Sequence, residues 1–403
     1  MNPAKARDDN AAYSDHRNFS IVAGGPLFQI LRAIHLADDS SPMTYGRILT
    51  FVLVTWLPLL VLSVFEGHAR AGSVAMPFLR DVEVHIKFLV VMPLLLRAET
   101  AVHSRLSPIA NEFVARRLIP KNSIGKFDAA IASAMRLRDS ALAEILIIAF
   151  VYVVGVLVVW RQYVALDTAT WYATPSGDRS TLSFAGLWYS YISIPLFQFL
   201  LIRWYFRLCI WARFLWQVSR IELALVPTHP DRAAGLGYLS DSVYALAPLA
   251  AAHGALLSAL LANRIFYAKA SLPDFKFGIA FVLVYTLCLT VGPLLVFSSQ
   301  LLKSWLVGDL EYGRLAERYV RSFDAKWLRG GAKPDDVLIG SADIQSLADM
   351  SNSFEVVRSM QVVPVTMGAL IAIVVATLAP IAPLLLTMMS LDTLAKDVFS
   401  LLF

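Results

Sequence analysis

FGIAFVLVYTLCLTVGPLLVFSSQLL, residues 277–302, contains no charged side chain. A helix rises 1.5 Å per residue, so roughly 20 apolar residues cross a hydrocarbon core of about 30 Å. Within that core every backbone N–H and C=O must be satisfied by the chain itself, which a helix achieves. The stretch is therefore read as a membrane span, and the same signature recurs earlier in the chain. ILTFVLVTWLPLLVLSVF (48–65) is uncharged, and ALAEILIIAFVYVVGVLVVW (141–160) carries only Glu144. The whole chain of 403 residues is 57% hydrophobic and 16% charged, against about a quarter charged for a soluble domain. Its mean hydropathy is +0.61. These features predict an all-α, polytopic transmembrane helix bundle.

About seven spans are predicted: 48–65, 84–102, 141–160, 183–205, 242–262, 277–302 and 362–389. The second has a short clean run, FLVVMPLLL (88–96), with His85 and Lys87 at its start. The last is interrupted by Pro364, Pro380 and Pro383. If one of these two is re-entrant, the number is six. With the N-terminus inside, 26 of the 35 Lys and Arg fall on the inner side, the asymmetry expected of a cytoplasmic face. The sequence pI near 9.1 follows from those inner charges and suits an anionic leaflet, not nucleic acid. No signal peptide is expected, because the first apolar run starts near residue 48 and is too long for one. Two cysteines, Cys209 and Cys288, both at or in the membrane, exclude a disulfide scaffold and a Cys-rich metal site.

Four regions follow. Residues 1–47 form a cytoplasmic N-terminus, polar and mobile over 1–20. Its GGPLFQILRAIHL (24–36) places Leu27, Ile30, Leu31 and Ile34 at helical spacing, as an interfacial amphipathic helix would. Residues 48–302 hold six spans with cytoplasmic loops at 103–140 and 206–241. In the first loop, Ser107 before Pro108 reads as a helix start, and a helix from Ser123 is expected to run on into the third span. In the second, Arg207, Arg213 and Arg220 lie among Trp and Phe, with Arg203 just before them, and read as snorkelling anchors. Residues 303–360 form a cytoplasmic helical hairpin, with Tyr312, Leu315, Tyr319, Phe323 and Trp327 on one stripe and Ile344, Leu347, Met350, Phe354 and Val357 on the other. Residues 361–403 hold the proline-broken span and a tail.

Several residues are candidates for chemistry. Prolines 58, 93, 195, 248, 293, 364, 380 and 383 lie within spans. Each frees a carbonyl and permits a kink, as along a pathway or simply as in many membrane helices. His253 in the fifth span and Glu144 in the third are ionisable groups at membrane depth, where function is the default reading; a carbonyl-bonded neutral His is the plain alternative. His85 and Lys87, with Pro380 and Pro383, complete the pathway or gating set, although Lys87 also suits snorkelling. Ala250, Gly254, Ser258 and Ala262 recur every four residues and predict close helix packing. The stretch THPDRAAGLGYLSD (228–241) gathers His229, Asp231, Arg232, Gly235 and Gly237. Pro230 and Asp231 read as a helix start, the glycines as its end, and most of the stretch as a turn. No nucleophile motif, metal-ligand pattern or cofactor motif is present, so no cofactor, metal or catalytic residue is assigned.

HPDRAAGLGYL (229–239) and IGSADIQSLADMSNSFEVVR (339–358) resemble segments of a group of uncharacterised bacterial polytopic inner-membrane proteins. The resemblance implies a bacterial inner membrane and attaches no function. The leading expectation is a homo-oligomeric channel or transporter for a small ion or solute, lined by proline-kinked helices. The alternative is a scaffold or sensor that binds a cytoplasmic protein partner through 303–360. A third reading, an enzyme on a lipid-like substrate, uses His229, Asp231 and Arg232 at the inner face.

Overall fold

The computed structural model describes residues 19–33, 44–70, 72, 74–160, 169–176, 179–268, 270–338 and 341–387. Among these residues the chain is all-α, with ten helices and one β-hairpin. The helices are α1 (Pro26–Ala33), α2 (Tyr45–Phe65), α3 (82–115), α4 (Ile124–Arg138), α5 (141–160), α6 (Phe184–Val218), α7 (Gly237–Tyr267), α8 (Leu272–Leu328), α9 (Ala342–Arg358) and α10 (Met367–Leu378). The hairpin pairs β1 (Ala173–Ser176) antiparallel with β2 (Arg179–Leu182). Four helices, α2, α6, α7 and α8, are long and apolar enough to cross a membrane, and α10 and the first part of α5 are shorter apolar helices. This composition of helices fits a membrane protein.

Helix α7 is the centre. It packs against α3, α8 and α10. Ala250, Gly254, Ser258 and Ala262 are all buried along it. A Cβ at Gly254 would lie 2.0 Å from the Thr377 carbonyl oxygen, so the backbones of α7 and α10 touch there and only glycine fits. Thr377 on α10 in turn pairs with Thr286 on α8 through their hydroxyls, 3.0 Å apart.

Most span prolines coincide with a local change of helix type. A π-helical turn, 87–91, precedes Pro93, and another, 189–193, precedes Pro195. A 3₁₀ segment, Gly292–Phe297, contains Pro293. Proline has no N–H and its ring crowds the carbonyl four residues back, so the preceding turn widens or breaks. Two freed carbonyls are answered from a neighbouring helix. Trp188 donates Nε1–H to Val54 O, four residues before Pro58, at 3.0 Å. Tyr152 donates its hydroxyl to Tyr191 O, four before Pro195, at 3.1 Å. Pro380 follows the end of α10, and Pro383 lies inside the 3₁₀ turn Ala382–Thr387 and is exposed.

Four local expectations need correction. Pro108 does not start a helix; it lies inside α3, because Leu106, Ile109, Ala110 and Phe113 bury a face that outweighs one lost hydrogen bond. The helix from residue 124 does not run into α5. It stops at Asp139, and Ser140 caps α5 by accepting from Ala143 N–H at 3.3 Å. No helix starts at Pro230; the stretch is a series of turns. Phe19 and Ser20 are buried rather than mobile, while 1–18, Ile34 and 388–403 lie outside the described residues.

The 303–360 hairpin is present. The outer half of α8 runs back along α9. Tyr312, Tyr319, Phe323 and Trp327 on α8 and Leu347, Met350 and Phe354 on α9 are half-buried, and Leu315 and Ile344 remain exposed. A Cβ at Gly308 would meet Pro227 at 2.6 Å, so the root of the hairpin is pressed onto the residues before the 228–241 turn. At the far end, Asp343 accepts from Lys326 Nζ at 2.8 Å and Trp327 Nε1 at 3.0 Å.

Candidate functional site

The strongest concentration of buried charge lies where α2, α3, α5 and α6 meet. Glu99, Arg203, Arg207 and Glu144 are 4%, 5%, 4% and 8% exposed. Arg207 donates to Glu99 Oε1 at 2.6 Å, and Arg47 donates to Glu99 Oε2 at 2.5 Å. Arg203 sits between the two acids, 3.1 Å from Glu144 and 3.8 Å from Glu99. Three guanidiniums thus share two carboxylates. A buried ion costs several kcal/mol in desolvation, and pairing repays it only with close geometry and further hydrogen bonds.

Those further bonds come from the N-terminal segment. Residues 19–22 are buried at 5% exposure or less and lie across the network. The carbonyl of Val22 accepts from Arg207 at 3.4 Å, and that of Gly24 from Arg203 at 3.5 Å. Arg138 at the end of α4 donates to Ser20 O at 2.7 Å, and Gly25 N–H donates to Asp139 at 3.0 Å. A Cβ at Gly24 would fall 2.3 Å from the Arg138 guanidinium, and both glycines have positive φ. The Gly24–Gly25 pair therefore lets the backbone lie flat on the charges. The hole left beside Arg138, Glu144, Arg203 and Arg207 measures about 10 Å³, room for about one water.

Of these residues only Glu144 was a candidate from sequence. Arg203 and Arg207 do not snorkel; they face inward. Four residues apart, they share one helix face with Trp211, Phe214 and Val218, all buried, whereas Arg213 and Arg220 point outward. That spacing was the available signal. Glu99 and Arg47 gave none, since their partners are remote in the chain.

The other candidates are dispersed. His253 is 8% exposed in the middle of α7. Its Nδ1 lies 2.7 Å from Leu249 O and its Nε2 2.8 Å from the Tyr205 hydroxyl. Lys87 is turned into the bundle rather than snorkelling: it pairs with Glu83 at 2.9 Å and lies over the Phe197 ring. His85 Nδ1 accepts from Trp56 Nε1 at 3.0 Å. Beside it, Asp81 is 5% exposed and accepts from Trp171 Nε1 and Asn263 Nδ2 at 3.0 and 3.1 Å. Trp171 was missed because its bond to Asp81 joins residues 90 positions apart.

In the 228–241 turn, Asp231 accepts from three backbone N–H groups, Ala233 at 2.9 Å, Gly235 at 3.1 Å and Gly237 at 2.8 Å. His229 Nδ1 lies 2.8 Å from the same carboxylate. Partial burial works to raise this carboxyl, but the three N–H groups and His229 outweigh it and hold it below the ordinary carboxylate range. Arg232 and Ala234 adopt positive φ, as does Gly235, so the turn is tight. Arg232 itself is exposed, and its carbonyl accepts from Gln361 N–H at 2.6 Å, tying the turn to the end of the hairpin. The lone pairs of Asp231 are committed to holding the chain. Among the described residues no group of three His, Cys, Asp or Glu is placed to hold a metal.

Compared with protein-family models, with curated proteins and with solved structures, the chain finds no match in any of the three.

Proposed function

We propose that this chain is a bacterial inner-membrane protein, N-terminus inside and homo-oligomeric, that passes a small ion or solute. The observation that carries this reading is the buried network of Arg47, Glu99, Glu144, Arg203 and Arg207. It draws on four helices of the bundle and holds one positive charge more than its acids balance. Buried charges are costly, and charges gathered at the inner end of a helix bundle suit the mouth of a polar pathway. In this reading residues 19–25 are the inner seal, and the one-water hole is the closed state of the path. The prolines play the lesser part of shaping the helices, since two of the carbonyls they free are taken up by Trp188 and Tyr152.

The test is flux into vesicles holding the purified protein, with gradients that separate cations from anions. Arg138→Ala removes the donor that holds Ser20 O and is expected to raise flux several-fold over the unsubstituted chain. Silence from both proteins, each shown to be folded and inserted, sinks the reading.

A second reading has its own support. Beyond Leu302, helix α8 still exposes Leu306, Leu310, Val320 and Leu328, at 54%, 53%, 50% and 70%. Apolar surface of this kind on a projecting helix marks a contact with another protein. A scaffold or sensor that binds its partner there needs no flux. Capture of one partner that is lost with Leu306→Asp and Leu310→Asp, in a protein that conducts nothing, would favour it.

A further inference from the structure

The surface that residues 19–25 cover is uneven in hydrogen bonding as well as in charge. Its acceptors are taken. Glu99 Oε1 accepts from Arg207 at 2.6 Å, Glu99 Oε2 from Arg47 at 2.5 Å, and Glu144 Oε1 lies 3.1 Å from Arg203. Asp139, at the edge, is held by Arg138 at 2.8 and 2.6 Å. Its donors are left over. A guanidinium carries five N–H groups and no acceptor. Arg47 Nε is buried without a partner among the described residues, and so is Trp211 Nε1, one turn beyond Arg207 on α6 and with its ring 6.5 Å from that of Phe19. The Arg207 and Arg203 donors beneath residues 19–25 reach only backbone carbonyls, Val22 O at 3.4 Å and Gly24 O at 3.5 Å. Both distances are long for hydrogen bonds. A carbonyl brings only a partial charge, so the third guanidinium of the network is left without a counter-charge.

We propose that the network binds a small, singly charged inorganic anion such as chloride, which replaces the Val22 and Gly24 carbonyls when residues 19–25 lift. This rests on the reading of those residues as an inner seal, and it gives that reading a substrate class. An anion of charge one balances three guanidiniums against two carboxylates. It also accepts from the donors that the carbonyls satisfy poorly. A cation meets N–H groups and a net positive charge, and finds no carboxylate oxygen free of an arginine. Basic side chains line anion pores for the same reason. The void of about 10 Å³ under the seal is too small for such an ion, so binding requires the carbonyls to leave.

The experiment is chloride binding to the full chain in lipid nanodiscs, read by chloride NMR line broadening and titrated against gluconate at constant ionic strength. Saturable broadening that nitrate displaces is expected. Gly24→Ala places a Cβ 2.3 Å from the Arg138 guanidinium and loosens the seal without changing charge, so it should raise the affinity several-fold. Arg47→Gln removes the orphan Nε–H and the excess charge, and should lower the affinity about tenfold, the worth of one charge-assisted hydrogen bond. Thermal unfolding without chloride confirms that each variant is folded, and the unsubstituted chain decides the case if one is not. Absence of saturable broadening overturns the proposal. So does an affinity unchanged in folded Arg47→Gln, which would put the anion elsewhere. Flux of potassium and of chloride is measured on the same proteins in vesicles. Potassium flux without chloride binding keeps the pathway and overturns the anion, whereas chloride binding in a silent protein keeps the anion and sinks the pathway.

Discussion

The inner charge network and the 228–241 turn are opposite solutions to placing charge in a membrane protein. In the turn, His, Asp, Arg and two Gly crowd into fourteen residues, and the result is a device for reversing the chain. Asp231 accepts from N–H groups two, four and six residues ahead. In the network, Arg207 and Glu99 are 108 positions apart and Arg47 and Glu99 are 52 apart. No window of the sequence holds more than two of its members. Local density of polar residues reports how the backbone turns, because turns need nearby acceptors and permissive φ. Convergence of remote charges reports what the fold has gathered, and it is the costlier arrangement.

That contrast can be broken by substitution. The largest effect is expected for Glu99→Ala, which leaves three arginines around an empty position. A loss of about 3–5 kcal/mol is expected, seen as failure to recover a monodisperse protein in detergent. Tolerance of Glu99→Ala would mean that water already reaches the network and that its burial is only apparent. Asp231→Ala is expected to cost less, about 1–3 kcal/mol, since it orphans three N–H groups at a site that water can partly enter. A loss as large as that of Glu99→Ala would erase the distinction.

The pH dependence of the turn sharpens it further. The Asp231 carboxyl is held below its ordinary value of 3.8, so its contribution is fully present above that value. It is lost as pH falls through the lower, folded value. A stability step that appears only below about pH 4, and is absent from Asp231→Asn, is the expected result. The smallest effect is expected at Asp343. Its carboxyl is held low by Lys326 and Trp327 and is half-exposed. Asp343→Asn should leave the unfolding temperature of the bundle unchanged and speed only the proteolysis of the hairpin between α8 and α9.

Hydropathy made the all-α class legible, because long uncharged runs leave no other way to satisfy the backbone. Helical spacing did the same for the 303–360 hairpin and for the small-residue ridge of α7. Boundaries were less legible where tertiary contacts decide. Pro108 stays inside α3 because the buried face continues past it, and Asp139 ends α4 because Gly25 and Arg138 need it there. The arginines of α6 were misread because aromatic residues lie on all its faces. Only the four-residue spacing of Arg203 and Arg207 separates the buried pair from exposed Arg213, and that difference is invisible until one asks which aromatics, Trp204 and Trp211 or Trp216, are inside.

The contact of Gly254 with Thr377 is accompanied by a bond from Thr366 N–H to Ser240 Oγ, which joins positions 126 residues apart. A chain elongating at roughly 5–20 residues per second takes on the order of ten seconds to bridge that interval. During it the glycine and alanine ridge of α7 is already made, and the helix that will cover it is not. Until then the ridge lacks its cover, and α10 is the clasp whose arrival ends that exposure.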